Sequence, residues 1–401
     1  MSEELSYVLI TPYTIRKSRT GGVMARLLSR TDLDLVGTQI LAPTKEFAEQ
    51  YAALVKKTVS ERDPRIAKLF SDYIKANFVP HSNGRRERIM FLLFRGEDAC
   101  RKLFHMVGFF LLAAKSEEVT GETIRDTYGD LVTRRDGAVS YFEPAVMTPP
   151  SPAHALEKLS LFAEFAKGQP NIVDNIVGQE DHGEKTLVMI KPDNWRHPST
   201  KPGNIIDILS RTGLRIVGCK IYQMSVAEAL EFYGPVKHIL YKKYAPLIGE
   251  RARTVLEREF QIQLHKGIEA ELSNVVGIDY ANEQFAQIIE FMSGKNPENI
   301  LPEELNAPGQ MKCMVLIYEG KNAIRKIRHV LGPTDPTKAP AGTVRRDFGH
   351  NVMVNTAHAS DSLESVQREM NIVKININPV SDIINGYLKA QRAELIALNK
   401  G

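Results

Sequence analysis

The chain has 401 residues, of which 43% are hydrophobic and 25% are charged, and its formal net charge is +4. This length predicts two to three domains, and the composition is typical of a soluble globular protein. The small net charge argues against a nucleic-acid-binding stripe and against a polybasic membrane anchor.

The cysteines Cys100, Cys219 and Cys313 are widely spaced and form neither a disulfide framework nor a CxxC metal motif. This usage is typical of a reducing compartment, and we expect a cytoplasmic location. The stretch MSEELSYVLITP at the start of the sequence lacks the basic start and apolar core of a signal peptide. Because the apolar runs are shorter than a bilayer-spanning helix requires, we also expect no membrane segment.

The sequence contains an internal repeat, whose halves we call the first copy and the second copy. Three segments align in the same order in both halves. They pair Tyr7–Ile40 with Leu187–Ile221, Arg88–Gly108 with Lys312–Gly332, and Gly121–Gly129 with Ala341–Gly349. Such self-similarity predicts one fold encoded twice. A polar, glycine-bearing stretch over 168–185 separates the copies, so we predict domains at 1–178 and 179–401.

Each copy reads as strand, helix, strand, helix, strand, and then a loop that leads to a last strand and helix. In the second copy, apolar and β-branched runs predict strands over 188–190, 216–221 and 314–318. Helical spacing of Ile205, Ile206, Leu209 and Leu214 predicts one helix, and residues 226–232 predict another. The mixed pattern predicts an α+β fold with two ferredoxin-like βαββαβ domains and antiparallel sheets.

The second copy carries an additional segment over about 235–282. Its stretch ERARTVLEREFQIQLHKGIEAEL combines helical spacing with dense opposite charges, which predicts a helical insertion. The insertion is either a lid or partner surface, or a solvated helical excursion with no partner. The tail beyond Pro379 predicts a terminal helix that docks on the protein.

The stretch Asn355–Glu369, NTAHASDSLESVQRE, places His358 just before a predicted helix. Asp361 is predicted to cap that helix, with Glu364 completing a capping box. A neutral imidazole is a nucleophile if an acceptor, for which Glu369 is the candidate, holds its other ring nitrogen. The alternative is that this lone histidine is an ordinary surface or core residue.

The usual nucleotide motifs are absent from the sequence, which has no GxxxxGK[ST] loop, no GxGxxG after a strand and no HRD or DFG set. It also lacks HExxH and GxSxG. A phosphate site would therefore have to be built from side chains.

Four segments in the second copy resemble the nucleoside diphosphate kinase family, and the resemblance spans most of residues 185–375. They are TLVMIKPD (Thr186–Asp193), LGPTDP (Leu331–Pro336), GTVRRDF (Gly342–Phe348) and the NxxHxSDS pattern from Asn355. The resemblance implies transfer of the γ-phosphate of ATP or another nucleoside triphosphate to a nucleoside diphosphate. The intermediate would be a phosphohistidine on His358, supported by Glu369.

The resemblance also implies a set of nucleotide contacts. The residues at the positions of the family's phosphate and ribose contacts are Lys191, Arg328, Thr334, Arg345 and Asn355. Tyr233 would position His358, and Phe285 and Ile288 would hold the base between them. Phe285 lies one place from the expected position, which Gln284 occupies. Ala359 and Arg346 replace glycines of the family. Mg²⁺ would be held by the nucleotide phosphates rather than by the protein.

The first copy departs from this pattern. Thr11 stands where Lys191 stands, Phe104 stands where Arg328 stands, and Val146 lies close to the position of His358, whereas Arg125 and Tyr51 persist. His154 follows several residues too late to be a good replacement for the histidine. We therefore expect a degenerate, structural half that takes part in association, either in a homo-oligomer or in an internal pseudo-dimer.

Val107, Phe109, Phe110 and Leu111 are predicted to supply the apolar contact of that association. Two other functions stay open at this level. One is a catalytically weak nucleotide-binding or scaffold protein of the same fold. The other is a nucleic-acid-binding protein that shares only the fold, which the low net charge disfavours.

Overall fold

A computed structural model describes residues 3–110, 121–179 and 183–398. Contacts between residues divide the chain into two compact units. The first comprises Met1–Ile221, Met314–Gln367 and Lys374–Gly401, and the second comprises Tyr222–Cys313 and Arg368–Val373. The strands of both copies lie wholly or mostly in the first unit. The domain boundary at residue 178 stays a prediction.

The first copy forms a four-stranded sheet, the first sheet, with helices and a hairpin around it. Its elements are β1 (Glu3–Ile10), α1 (Pro12–Arg16), α2 (Thr20–Arg30), β2 (Asp34–Leu41), α3 (Lys45–Ser60), α4 (Pro64–Asn77), β3 (Ile89–Glu97), α5 (Ala99–Val107), α6 (Ile124–Tyr128), β4 (Asp130–Thr133), β5 (Val139–Glu143), β6 (Val146–Met147) and α7 (Pro152–Lys167). The strand order is β2-β3-β1-β6 with antiparallel neighbours, and β4 pairs with β5 as the hairpin.

The second copy forms the second sheet. Its elements are β7 (Glu184–Ile190), α8 (Lys201–Ser210), β8 (Arg215–Gln223), α9 (Val226–Phe260), α10 (Ile268–Leu272), α11 (Ile278–Ser293), β9 (Lys312–Gly320), α12 (Ala323–Leu331), α13 (Val344–Phe348), β10 (Ala357–Ala359), α14 (Leu363–Ile372) and α15 (Val380–Leu398). The strand order is β10-β7-β9-β8. Numbered within each copy, both sheets have the order 4-1-3-2, so the predicted α+β, ferredoxin-like fold is confirmed.

Two helix boundaries differ from the sequence predictions. Leu214 lies beyond the end of α8, in the turn before β8. The helix predicted over 226–232 starts as expected, because Ser225 and Glu228 form a capping box, but it continues to Phe260. Pro235 and Pro246 lie inside α9 without ending it.

The second unit is built from the predicted helical insertion. Helices α9 and α11 pack along each other, and a π-helical turn, Ser273–Gly277, joins α10 to α11. A side chain on Gly277 would collide with the backbone of Ala245, so this glycine lets the π-helical turn approach α9 closely. The helical insertion is confirmed, and its role as a lid or partner surface stays a prediction. Over the described ranges, no helix is long and apolar enough to cross a membrane.

The two copies contact each other within the first unit through α2 and α8. A Cβ atom on Gly21 would lie 2.5 Å from the Asp207 nitrogen and from the Gly203 carbonyl oxygen. The two helix backbones therefore meet without intervening side chains. Beside this contact, Arg88, which directly precedes β3, donates to the Ile216 carbonyl in β8 at 2.5 Å.

The C-terminal helix α15 docks against the first copy, as its sequence predicted. Val380 and Ile384 are fully buried in the same apolar core as Phe162 of α7. The hydroxyl of Ser381 donates to the Ala163 carbonyl at 2.7 Å. The last helix of the chain thus closes the core of its first half.

The predicted association surface after α5 is wrong for two of its residues. Val107 is fully buried, and the ring of Phe110 packs at 5.1 Å from that of Phe142 inside the first copy. Phe109 is 56% exposed, and Leu111 lies outside the described residues. Burial within this chain accounts for the apolar character of Val107, and packing inside the first copy accounts for that of Phe110.

Candidate active site

His358 lies in the middle of the short strand β10. It stands opposite Met189 of β7, and it is half-buried while Ala357 and Ala359 are buried. Since side chains alternate along a strand, the imidazole points to the opposite face from the two alanines.

A left-handed turn precedes β10. Thr356 has a φ of +74°, a conformation that costs a β-branched residue about 1–3 kcal/mol. Its carbonyl accepts hydrogen bonds from the Lys191 backbone and from the Asn194 side chain, both at 2.9 Å. These bonds to the end of β7 hold the strained turn, and with it the start of the histidine strand.

Lys191 and Asn355 are joined by a hydrogen bond. The Lys191 ammonium, 8% exposed, donates to Asn355 Oδ1 at 2.7 Å. The Asn355 amide donates to the Val352 carbonyl at 2.7 Å and to the Thr334 carbonyl at 3.3 Å. Three residues predicted to contact the nucleotide, Lys191, Thr334 and Asn355, are therefore brought together beside β10.

Arg345 is fixed next to the histidine strand by two backbone carbonyls. Its guanidinium donates to the Gly332 carbonyl at 2.9 Å and to the Ala357 carbonyl at 3.0 Å. Ala357 directly precedes His358, so the positive charge of Arg345 is held one residue from the imidazole.

Arg328 and His358 both act on Asp361. A hydrogen bond from Ser365, followed by the positive charge of Arg328 and the proximity of His358, holds the pKa of Asp361 below its ordinary value. The Ser365 hydroxyl donates to Asp361 Oδ1 at 2.7 Å. Because charge effects at a surface decay over short distances, Arg328 and His358 are each near enough to Asp361 to favour its charged form.

The predicted cap of the following helix is wrong by one residue. The Ser365 nitrogen donates to the hydroxyl of Ser362, at 3.1 Å, so Ser362 rather than Asp361 caps α14. Glu364 then falls one place before the position that a capping box requires. Asp and Ser are both good caps, and no local pattern favours the second of the two.

A pocket of about 710 Å³, which we call the arginine pocket, adjoins these residues. Three of the predicted contacts, Arg328, Thr334 and Arg345, line it, and Ala359 lines it as well. Among the described residues that line it there is no carboxylate, and Arg211 adds a third guanidinium. His358 and Lys191 are not part of its lining. Such a positively charged cavity suits phosphate oxygens.

Two further residues of this region, Arg211 and Asp193, were not predicted as site residues from the sequence. No local motif marks Arg211. Asp193 accepts a hydrogen bond from the Thr356 hydroxyl at 3.5 Å. Burial raises the pKa of Asp193, and the nearby Lys191 opposes that rise. Asp193 therefore belongs to the network that holds the turn before β10.

The remaining predicted site residues belong to the second unit. Tyr233 of α9 and Phe285 of α11 are buried, Ile288 of α11 is half-buried, and Glu369 of α14 is only 3% exposed. The Lys237 ammonium lies 5.5 Å from the centre of the Phe285 ring. Glu369 Oε1 is 3.4 Å from the Arg368 guanidinium. The contacts of Tyr233 and Glu369 with His358, and the binding of the base by Phe285 and Ile288, stay predictions.

The pairing of the strands identifies the first-copy counterpart of His358. His358 stands opposite Met189, two residues before Lys191, and Met147 stands opposite Leu9, two residues before Thr11. Met147, and not Val146, therefore occupies the position of the histidine.

His154 lies on α7 and not on β6. Its two ring nitrogens lie 2.8 Å from the Ser151 hydroxyl and 3.2 Å from a carboxylate oxygen of Glu61. It is therefore no positional substitute for His358.

Comparisons with known proteins match the second copy. The family model for nucleoside diphosphate kinase matches residues 184–251 and 254–374. The nucleoside diphosphate kinase of Campylobacter lari is 32% identical over 190 residues, which are 47% of this chain and 92% of that protein. That of Anaeromyxobacter dehalogenans is 30% identical over 187 residues, which are 47% of this chain and 86% of that protein.

Among solved structures, the nucleoside diphosphate kinase of Aquifex aeolicus matches 48% of this chain and 95% of its own, with 23% identity and a TM-score of 0.28. The match to the Campylobacter lari protein covers nearly all of that relative. The chain belongs to the nucleoside diphosphate kinase family.

Proposed function

We propose that the protein is a nucleoside diphosphate kinase that transfers the γ-phosphate of ATP or another nucleoside triphosphate to a nucleoside diphosphate. The observation that carries the proposal is the half-buried imidazole of His358 on a strand whose start is held by two hydrogen bonds, from the Lys191 backbone to Thr356 and from the Arg345 guanidinium to Ala357. Family membership supports a phosphotransferase, and the groups around His358 support this reaction in the second copy.

The reaction proceeds in two transfers. A ring nitrogen of His358 attacks the γ-phosphorus, the bond from that phosphorus to the β,γ-bridging oxygen breaks, and the nucleoside diphosphate leaves. A terminal oxygen of a second diphosphate then attacks the phosphohistidine, and the phosphorus–nitrogen bond breaks. Glu369 accepts the hydrogen bond of the other ring N–H and stabilises the positive charge that develops on the imidazole.

The cationic side chains bind and orient the phosphates. Lys191 supplies a compact charge at the end of β7, and Arg328 and Arg345 supply planar guanidinium groups. Thr334 and Asn355 contribute hydrogen bonds to phosphate or sugar oxygens, and Tyr233 positions the imidazole. In the second unit, Phe285 and Ile288 hold the base.

Mg²⁺ fits this site as a companion of the nucleotide. The arginine pocket presents guanidinium groups, which pair with phosphate oxygens and not with a cation. We therefore assign the ion to the phosphate oxygens and water, where it would neutralise charge on the transferring group.

One observation favours the alternative of a catalytically weak nucleotide-binding or scaffold protein. Ala359, which stands where the family has glycine, lines the arginine pocket and is 5% exposed. Its methyl group takes up space beside the phosphate-binding guanidinium groups.

We also infer a cytoplasmic location, since none of the three buried cysteines forms a disulfide. The contact between α2 and α8 supports the internal pseudo-dimer.

The test is γ-phosphate exchange between ATP and GDP in the presence of Mg²⁺, together with isolation of the phosphoprotein. We expect turnover in the wild type and an acid-labile, alkali-stable phosphoprotein. Both should vanish in His358→Ala and persist in His154→Ala. Nucleotide binding without turnover in the wild type would establish the scaffold alternative instead.

A further inference from the structure

A second cavity, of about 330 Å³, lies in the first copy. We call it the first-copy pocket. Its walls come from α3, α4, α5, α6 and α7 and from the residues after β6. The volume is at the lower end of the range for small-molecule sites, about 300–1,000 Å³. The proposed kinase reaction makes no use of it.

Two substitutions turn the equivalent of the kinase site into an apolar surface. Met147 occupies the position of His358 and lines the first-copy pocket. Phe104 occupies the position of Arg328, since both accept the backbone hydrogen bond of the glycine that ends their helix. Phe104 also lines the pocket. The pocket thus lacks a nucleophile and a phosphate-binding arginine at these two positions, and it has gained apolar area.

Lys158 is the most unusual residue of the lining. It is 2% exposed, and its ammonium donates to the Thr58 hydroxyl at 2.6 Å and to the His154 carbonyl at 3.4 Å. Neither acceptor is a carboxylate, and an ammonium carries three N–H donors. Burial lowers its pKa to about 8, and Glu157 and Glu61 offset that effect only in part. A buried charge of this kind is costly until an anion neutralises it.

Two arginines add to the positive charge. The Arg125 guanidinium lies 5.1 Å from the centre of the Phe70 ring, and burial lowers its pKa to about 9. The Arg62 guanidinium lies 5.1 Å from the centre of the Phe104 ring and 5.6 Å from that of the half-exposed Phe109. A contact with an aromatic ring leaves a guanidinium positively charged, so both arginines contribute positive charge to the pocket.

Among the described residues of the lining, the one carboxylate is that of Asp63. Its Oδ1 caps α4, accepting from the Arg65 nitrogen at 2.8 Å and from the Ile66 nitrogen at 3.3 Å. It also lies 3.6 Å from the Arg65 side chain. The Asp63 carboxylate therefore serves as the cap of α4. The lining has three cationic side chains, Lys158, Arg125 and Arg62, and so the pocket has a net positive charge.

We propose that the first-copy pocket binds a small apolar carboxylate, such as a medium-chain aliphatic acid. The carboxylate lies at the Lys158 ammonium, and the hydrocarbon chain packs against Met147, Phe70 and Ile66. Charge complementarity selects an anion, while the small volume and the apolar walls select a ligand with a hydrocarbon body. A nucleotide is disfavoured, because Phe104 has replaced the phosphate-binding arginine.

The test is titration calorimetry of the full chain at neutral pH with octanoate, and with 1-octanol as the neutral ligand of equal length. We expect octanoate to bind about tenfold or more tightly than 1-octanol. Lys158→Met should weaken octanoate by about 10- to 100-fold and leave 1-octanol within about twofold of the wild type. Saturating ADP should leave the octanoate affinity unchanged, because ADP binds elsewhere.

Two control variants keep the test decisive. Lys57→Met removes an exposed lysine that pairs with Glu157 on the neighbouring surface, so octanoate binding should be unchanged. Arg62→Gln changes an exposed side chain at the mouth of the pocket and should weaken octanoate by a few-fold, about threefold. If Lys158→Met does not fold, the ligand comparison in the wild type and Arg62→Gln decide the question.

Equal affinities for octanoate and 1-octanol, no binding of octanoate, or displacement of octanoate by ADP would each overturn the proposal. So would an unchanged octanoate affinity in a folded Lys158→Met variant. The kinase reaction is not needed for any of these measurements.

Discussion

Arg345 and Arg125 make the same pair of hydrogen bonds in two different chemical surroundings. Each guanidinium donates to the carbonyl of the glycine after the preceding helix and to that of the first residue of the last strand. These carbonyls belong to Gly332 and Ala357 for Arg345, and to Gly108 and Val146 for Arg125. Beside Arg345 that strand continues with a histidine, and beside Arg125 it continues with Met147. The two arginines therefore separate a structural role, which both have, from a role in phosphate binding.

This pair gives the first prediction. Arg345→Met should lower the turnover number for phosphate exchange by at least about 100-fold, because a cation that neutralises the transferring phosphate is lost. Arg125→Met should leave turnover per folded molecule within about twofold of the wild type, while both variants lose about 1–3 kcal/mol of unfolding free energy. Steady-state kinetics and urea unfolding measure the two effects. Equal losses of turnover would assign Arg345 to the framework alone.

The hydrogen bond between Lys191 and Asn355 leads to the second prediction. Lys191→Met removes the charge at the end of β7 and should reduce kcat/KM by about 100-fold or more. Asn355→Ala leaves the charge but removes the acceptor that positions it, so the reduction should be about tenfold. Initial rates over a range of ATP concentrations distinguish the variants. A larger loss in Asn355→Ala than in Lys191→Met would contradict this order.

The close contact of α2 and α8 supplies the third prediction. A Cβ atom on Gly203 would collide with backbone atoms of Ala25 and Gly21, so Gly203→Ala should lower the free energy of unfolding by about 1–3 kcal/mol. Gly386 lies in α15 with nothing within 4 Å of a Cβ atom. Gly386→Ala should therefore raise stability by up to about 1 kcal/mol. Urea titrations of both variants measure the difference, and a stabilising Gly203→Ala would refute the close contact.

The pKa of Lys158, lowered to about 8 from the ordinary 10.5, gives a prediction with a defined pH window. Below pH 8 the lysine is charged in the folded and unfolded states, so the folded state bears the full cost of the buried charge. Between pH 8 and 10.5 the unfolded state holds more protons, and stability rises with pH until the cost has vanished.

Lys158→Met should therefore stabilise the protein at pH 7 by up to about 3 kcal/mol, a figure that follows from 1.36 kcal/mol per pKa unit and is reduced by the lost hydrogen bond to Thr58. The gain should shrink as the pH rises through 8 to 10.5. Urea unfolding at pH 7 and at pH 10 compares the two regimes, with Lys57→Met as the exposed control. A gain that is independent of pH would refute a buried charge as its cause.

The sequence predicted the fold well because the repeat and the apolar, β-branched runs act together. Two copies with the same pattern constrained each other, and both sheets have the expected strand order. Lys191 and Asn355 lie together beside the histidine strand, and each belongs to a motif next to a strand end. Their contact with a nucleotide stays a prediction.

The predictions that were wrong have a common cause. The local sequence allows more than one structure, and tertiary contacts select between them. Ser362 and Asp361 are adjacent good caps, and only the path of the chain selects Ser362. Pro235 would end many helices, yet α9 continues past it. Val146 is adjacent to Met147 in the sequence, and only the strand pairing shows that Met147 holds the position of His358.

The left-handed turn before the last strand is present in both sheets. Thr356 has a φ of +74° before β10, and Ala145 has a φ of +58° before β6. Its carbonyl also accepts from Thr11, as that of Thr356 accepts from Lys191. The half of the chain that has no histidine on β6 still maintains the same unfavourable backbone angle. The turn therefore belongs to the construction of both sheets. In the second copy, His358 follows a backbone conformation that the fold adopts even where no histidine is present.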